Sequence, residues 1–225
     1  MSAEETPLPP PNTLRVSFST ALVLLLFTLV FTALMAATYR YTKPTIDAAT
    51  AQAKMELIGA VLPPTDYDND LLQDAIDLPP TPELGTRQPS RVYRARRGGE
   101  PAALVLEAIA PDGYSGRIDL LVAVRANGEL AAVRVTGHRE TPGLGDYIEP
   151  KKDKNKANPW IKQFDATGFD RIPREQWKVK KDGGRFEQRT GATISARAVT
   201  NAVGRTLQYA IDHRERLFAT PEPKP

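Results

Sequence analysis

Between Arg15 and Arg40 the chain runs through 24 residues without a charged side chain, including Ala21-Leu22-Val23-Leu24-Leu25-Leu26-Phe27-Thr28-Leu29-Val30-Phe31. No other feature restricts the fold as strongly. A helix rising about 1.5 Å per residue covers roughly 36 Å over that length, enough to cross a hydrocarbon core about 30 Å thick. Residues 16–39 therefore read as one transmembrane helix. A cleaved signal peptide is the alternative, with small side chains at residues 33–37 near a cleavage point, but its apolar region is usually about 7–15 residues long. Orientation stays open at this level. Arg15 is the one basic residue before the span, whereas Arg40, Lys43 and Lys54 follow it. The positive-inside count thus opposes export, but it is weakest for long translocated domains.

Outside the span, composition removes several chemistries. The chain has no cysteine, which excludes disulfides, a thiolate nucleophile, cysteine-held zinc and iron–sulfur clusters. Two histidines argue against a His-rich metal centre, and no metal site is expected. Thirty Lys and Arg against 27 Asp and Glu leave a net charge of +3. Without basic patches interleaved with aromatics, nucleic acid is not an expected partner. A mean hydropathy of -0.37 averages one membrane helix with a hydrophilic domain.

Thr42-Lys43-Pro44 reads as a cap with proline in the first turn, opening a second helix over residues 44–61 that Pro63-Pro64 ends. An acidic turn at Asp66 to Asp70 and a spacer at Pro79-Pro80-Thr81-Pro82 follow. From Arg91 the pattern becomes strand-like. Residues 92–95 and 103–109 form one predicted pair around Gly98-Gly99, and residues 117–124 and 130–135 form another around Asn127-Gly128. These four runs predict an antiparallel sheet. Residues 195–218 predict a closing helix whose apolar face carries Ala198, Ala202, Leu207 and Ile211. The fold class is α+β.

Two segments can carry chemistry. Arg189-Thr190-Gly191-Ala192-Thr193-Ile194-Ser195 enters the last helix, where free backbone N–H groups and the positive dipole end suit a phosphate. Gly191 and Ala192 allow close approach, and the hydroxyls of Thr190, Thr193 and Ser195 can donate hydrogen bonds or be esterified. The plainer reading is a helix cap made by Ser195 or Thr193. Gly137-His138-Arg139-Glu140-Thr141-Pro142-Gly143-Leu144-Gly145-Asp146-Tyr147 leaves a predicted strand by a tight path and reads either as a ligand-facing loop or as a strand exit with a surface ion pair. A Ser-His-Asp hydrolase built on His138 or His213 lacks the G-x-S-x-G elbow. The run Lys151-Lys152-Asp153-Lys154-Asn155-Lys156 reads as a solvated loop, or as a docking surface for an acidic partner or anionic lipid.

Together with Val61-Leu62-Pro63, Gly113-Tyr114-Ser115-Gly116 and Trp160 to Phe164, these segments resemble the G subunit of the Rnf (Rsx) ion-translocating electron-transport complex. Its flavin-binding domain is shared with the C subunit of the sodium-pumping NADH:quinone reductase. The resemblance covers nearly the whole chain, and the ordered pair of T-P-G-L-G and [S/T]-G-A-T loops is specific. It implies FMN joined to Thr193 by a phosphoester bond that a flavin transferase installs, with Thr190, Gly191 and Ala192 completing the attachment loop. Thr141, Leu144 and Gly145 are the expected contacts from the other loop. The family often has Asp three residues before the motif, where this chain has Glu187.

The resemblance further implies an inner-membrane, single-pass protein with its flavin domain in the periplasm. It would carry electrons among membrane and iron–sulfur partner subunits that couple ferredoxin and NAD to ion movement, and would not be catalytic alone. The implied division is a cytoplasmic tail (1–15), the transmembrane helix (16–39), a juxtamembrane helix and linker (40–90), an FMN-binding domain (91–218) and a C-terminal tail (219–225). The covalent-FMN component of the quinone reductase and a flavin-free assembly module are the alternatives.

Overall fold

The computed structural model describes residues 13–219; residues 1–12 of the expected N-terminal tail and 220–225 of the C-terminal tail lie outside it. Internal contacts divide the chain into two compact units after Gln52.

The described part of the first unit is helical throughout, within α1 (Thr13–Gly59). An 18-residue window of α1 has a mean hydropathy of 2.4 and no residue in it is buried by the rest of the chain. Such a helix is a candidate membrane span. Five of its threonines are satisfied within the helix: the hydroxyls of Thr20, Thr28, Thr38, Thr42 and Thr50 donate to carbonyls four residues earlier. The predicted break at Thr42-Lys43-Pro44 is corrected. Pro44 lies inside one continuous helix, and Thr42 donates back to Thr38 instead of capping a new start. Proline removes one backbone bond and crowds the carbonyl four residues back, but the turns on both sides carry the helix through.

The second unit is built on a meander of β1 (Ala75–Leu78), β2 (Ser90–Arg97), β3 (Glu100–Gly113), β4 (Gly116–Arg125) and β5 (Leu130–Gly137). All neighbours are antiparallel, in the order β1-β2-β3-β4-β5. The predicted four strands are thus five, and the compact unit begins well before residue 91. Both expected hairpins form. Gly98 and Gly99 take φ of +58° and +83°, as a two-residue turn requires if its twist is to match the strands. The Asn127-Gly128 hairpin instead uses a three-residue loop: Gly128 N–H donates to the Arg125 carbonyl (2.9 Å) and Arg125 N–H to Glu129 (2.7 Å).

Strands such as Leu120 to Val124 read as unbroken apolar runs because both faces of the sheet are covered. One face, with Leu104, Leu106, Leu120, Val122 and Val133, packs on α2 (Thr193–Asp212) and an aromatic cluster. The other, with Tyr93, Val105, Leu121 and Ala123, packs on Ile58, Val61, Leu62 and Leu71. The predicted last helix is two helices, α2 and α3 (Arg214–Phe218), which meet at His213. Ala198, Ala202 and Leu207 are buried as expected, but Ile211 is 37% exposed, because the buried stripe ends on Tyr209 and Ala210.

Candidate functional site

The two loops singled out in the sequence meet. A cleft of about 140 Å³ is lined by Tyr114, Glu140, Thr141, Leu144, Gly145, Gly191, Ala192, Ile194 and Ser195. Five of the seven expected contact residues are therefore on one surface: Thr141, Leu144, Gly145, Gly191 and Ala192. Thr193 opens α2 next to the cleft-lining Ala192 and Ile194 and is partly exposed, and Thr190 is exposed on the approach.

The loops are held by short-range bonding. Leu144 and Gly145 N–H both return to the Thr141 carbonyl (3.1 Å each), and Gly143 N–H donates to the Asp146 carboxylate (2.9 Å). On the opposite wall Gly191 takes φ of +84°, a left-handed turn that glycine adopts without a Cβ penalty. Tyr147 couples the two walls: its hydroxyl donates to the Ala192 carbonyl and accepts from Arg189 N–H, both at 3.2 Å. Burial raises the Tyr147 phenol above its ordinary pKa, so it remains a donor. Its ring packs edge-on against Trp160, 5.5 Å between centroids, and the Trp160 indole donates to the Glu187 carbonyl (2.6 Å).

The plain-cap reading does not describe the start of α2. Ala192 is the cap residue and no side chain caps the helix. The Ser195 hydroxyl donates instead to Glu140, whose other oxygen accepts from Ser115 N–H (3.0 Å). Glu140 is only 4% exposed, so it is no surface ion pair. His138 has a local role, with its Nδ1 accepting from Glu140 N–H (3.0 Å) and its Nε2 lying 3.4 Å from Glu149.

A helix start without a side-chain cap, a partly exposed threonine as its first residue and a glycine-opened approach fit a phosphate ester. The mouth of the cleft fits a flat apolar ring: Tyr114, Leu144 and Ile194 are 68%, 54% and 44% exposed. Sequence reasoning missed Tyr114 and Ile194 as residues lining this cleft; Tyr114 lies in the Gly113-Tyr114-Ser115-Gly116 turn, but only the folded β3–β4 hairpin brings it here. Larger clefts exist, one of about 730 Å³ beside Arg125, Asp212 and His213, but they contain no residue of either loop and mix both charge signs.

Gly145 shows how closely the cleft floor is packed. A Cβ there would lie 2.5 Å from Ser195 Oγ and 2.7 Å from Glu140. Gly145→Ala is expected to lower stability by about 1–3 kcal/mol, the usual range for overpacking. Thermal unfolding checks this, and a wild-type midpoint would show that the contact is not tight.

The chain thus consists of an apolar helix that is a candidate membrane span, followed in sequence by a compact α+β unit that bears this cleft. Residues 113–208 match the family model described as FMN-binding domain, and residues 14–61 match that described as RnfG N-terminal region. The chain is 43% identical over 210 residues to the G subunit of the ion-translocating oxidoreductase complex of Pseudomonas aeruginosa, covering 93% of this chain and 96% of that one. The corresponding protein of Vibrio cholerae is 40% identical over 90% of this chain and 94% of its own. That of Photorhabdus laumondii is 44% identical over 84% and 87%. The chain belongs to this family, the G subunits of Rnf-type ion-translocating oxidoreductase complexes.

Proposed function

We propose that this protein is the membrane-anchored electron carrier of an Rnf-type complex and that it holds FMN covalently through a phosphoester on Thr193. The observation that supports this most is the meeting of the T-P-G-L-G and T-G-A-T loops in one cleft beside an uncapped helix start. Bound FMN would supply reversible uptake and release of electrons. Thr193 contributes the ester oxygen, and the free N–H groups of the first turn of α2 face the phosphate charge. Gly191 and Ala192 keep bulk away from it, while Thr141, Leu144, Gly145, Tyr114 and Ile194 form the neighbouring surface.

The cleft is smaller than the roughly 300–1,000 Å³ of pockets that enclose a ligand. The ring system therefore stays accessible to a redox partner, which suits a carrier better than a self-contained catalyst. In this reading α1 crosses the inner membrane, the flavin domain faces the periplasm and a flavin transferase attaches the cofactor. Membrane and iron–sulfur subunits link the protein to ferredoxin and NAD, with ion movement as the coupled process.

The test is acid precipitation of the full chain isolated from membranes with its co-purifying partners. Flavin that stays with the precipitated polypeptide, together with partners of an Rnf-type complex, is the expected result. Flavin released entirely into the supernatant would rule out the covalent link, and a colourless protein would favour a flavin-free assembly module.

A further inference from the structure

Four charged side chains are buried among the described residues, and they differ in whether an opposite charge pairs with them. Arg94 pairs with Asp74, and Asp153 pairs with Arg189. Glu140, 4% exposed, has no cation within ion-pairing distance among the described residues, and neither has Asp146, which accepts from Gly143 N–H. Among the described residues, Glu140 is the one of these carboxylates that lines the cleft, and no lysine or arginine lines it with Glu140.

The carboxylate is fixed from several sides. Ser115 N–H and the Ser195 hydroxyl each donate to one of its oxygens. A Cβ at Gly113 would lie 2.8 Å from the first oxygen, and one at Gly145 2.7 Å from the second. Glu140 is thus held between the β3–β4 turn, its own loop and the first turn of α2, with little freedom to swing toward water.

We propose that Glu140 is a charge-tuning residue: its fixed, cation-free carboxylate lowers the reduction potential of the flavin carried in the cleft. Electron uptake adds negative charge to whatever occupies the cleft, and a nearby fixed anion in a partly desolvated site opposes that gain. The neutral donors Ser115 and Ser195 disperse the charge without cancelling it. The inference rests on the assignment of FMN to Thr193, and its experiment is arranged so that the two can fail separately.

Full-length wild type, Glu140→Gln and Ser195→Ala, each loaded with FMN, are compared by spectroelectrochemical titration at one pH. Glutamine keeps the volume and can still contact both serines, so Glu140→Gln is expected to shift the midpoint potential upward. Ser195→Ala keeps the carboxylate and removes a donor to it, so a downward shift is expected. Opposite signs distinguish charge tuning from a general loosening of the cleft. An unchanged or lowered potential in Glu140→Gln, or shifts of the same sign in both variants, overturns the proposal. If Glu140→Gln does not load flavin, the Ser195→Ala result decides it. If neither variant loads while wild type does, the network builds the attachment site and the tuning role is wrong. Wild type without bound flavin would instead overturn the functional assignment on which this one rests.

Discussion

Thr193→Ala is expected to reduce flavin fluorescence on a denaturing gel to background when the chain is co-expressed with a flavin transferase, while Thr190→Ala remains fluorescent. Three hydroxyls lie in the segment, and the fold separates them. Ser195 is 1% exposed and its hydroxyl is engaged by Glu140, so it can neither reach a transferase nor leave its bond without cost. Thr190 is exposed but precedes the left-handed turn at Gly191, outside the helix. Of the three, Thr193 alone is at least partly exposed and holds the first position of α2, where the backbone N–H groups have no intrahelical partners. Because no side chain caps this helix, Thr193→Ala should not incur the roughly 0.5–2 kcal/mol that loss of a cap costs. Full loss of fluorescence with an unchanged unfolding midpoint is therefore the expected pair of results. Equal fluorescence in Thr193→Ala would remove the attachment site, and a cap-sized loss of stability without any flavin in wild type would support the assembly-module reading. Thr193→Ser is less informative, since serine retains a hydroxyl.

The parts of the fold that were legible carry their signal in adjacent residues. Gly98-Gly99 and Asn127-Gly128 marked two hairpins because their backbone freedom is a local property. The uncharged run at residues 16–39 marked its helix by length alone. Strand β1 was not legible: Ala75–Leu78 is four residues long, holds one acidic side chain and stands just before a proline pair, so nothing local separates it from a spacer. Its evidence is the register with β2, where Ile76 lies opposite Val92. Pro44 misled for the converse reason, since its local preference was overridden by the helix on either side. Within the site, glycines and hydroxyls at a helix entrance were visible as chemistry. The burial of Glu140 and the convergence of Tyr114 with Ile194 depend on contacts across dozens of residues.

The lysine loop shows the same contrast, and it leads to a large expected effect on stability. Residues 151–156 read as a solvated stretch in which one aspartate offsets four lysines. In the structure the lysines are exposed but Asp153 is 0% exposed. One of its oxygens pairs with Arg189 and accepts from Asn155 N–H (2.8 Å); the other accepts from Trp160 N–H (2.7 Å). Arg189 also lies over the Tyr147 ring, 4.8 Å from its centroid, and leads directly into Thr190. Asp153 therefore joins the loop to the entrance of the attachment segment. Removing one partner of a buried ion pair costs about 3–5 kcal/mol. The Arg189 side chain is 34% exposed and regains some hydration, which places Asp153→Ala near the lower end, at about 3 kcal/mol. For a unit of this size each kcal/mol moves the midpoint by about 2–4 °C, so a fall of roughly 6–12 °C is expected in thermal unfolding. Lys152→Ala and Lys154→Ala, which touch no such network, should stay within about 0.5 kcal/mol of wild type. Asp153→Asn, which keeps the shape and an acceptor but not the charge, should fall between. If Asp153→Ala melts with the lysine variants, the aspartate is a surface residue after all and the rigid link to the T-G-A-T loop does not exist.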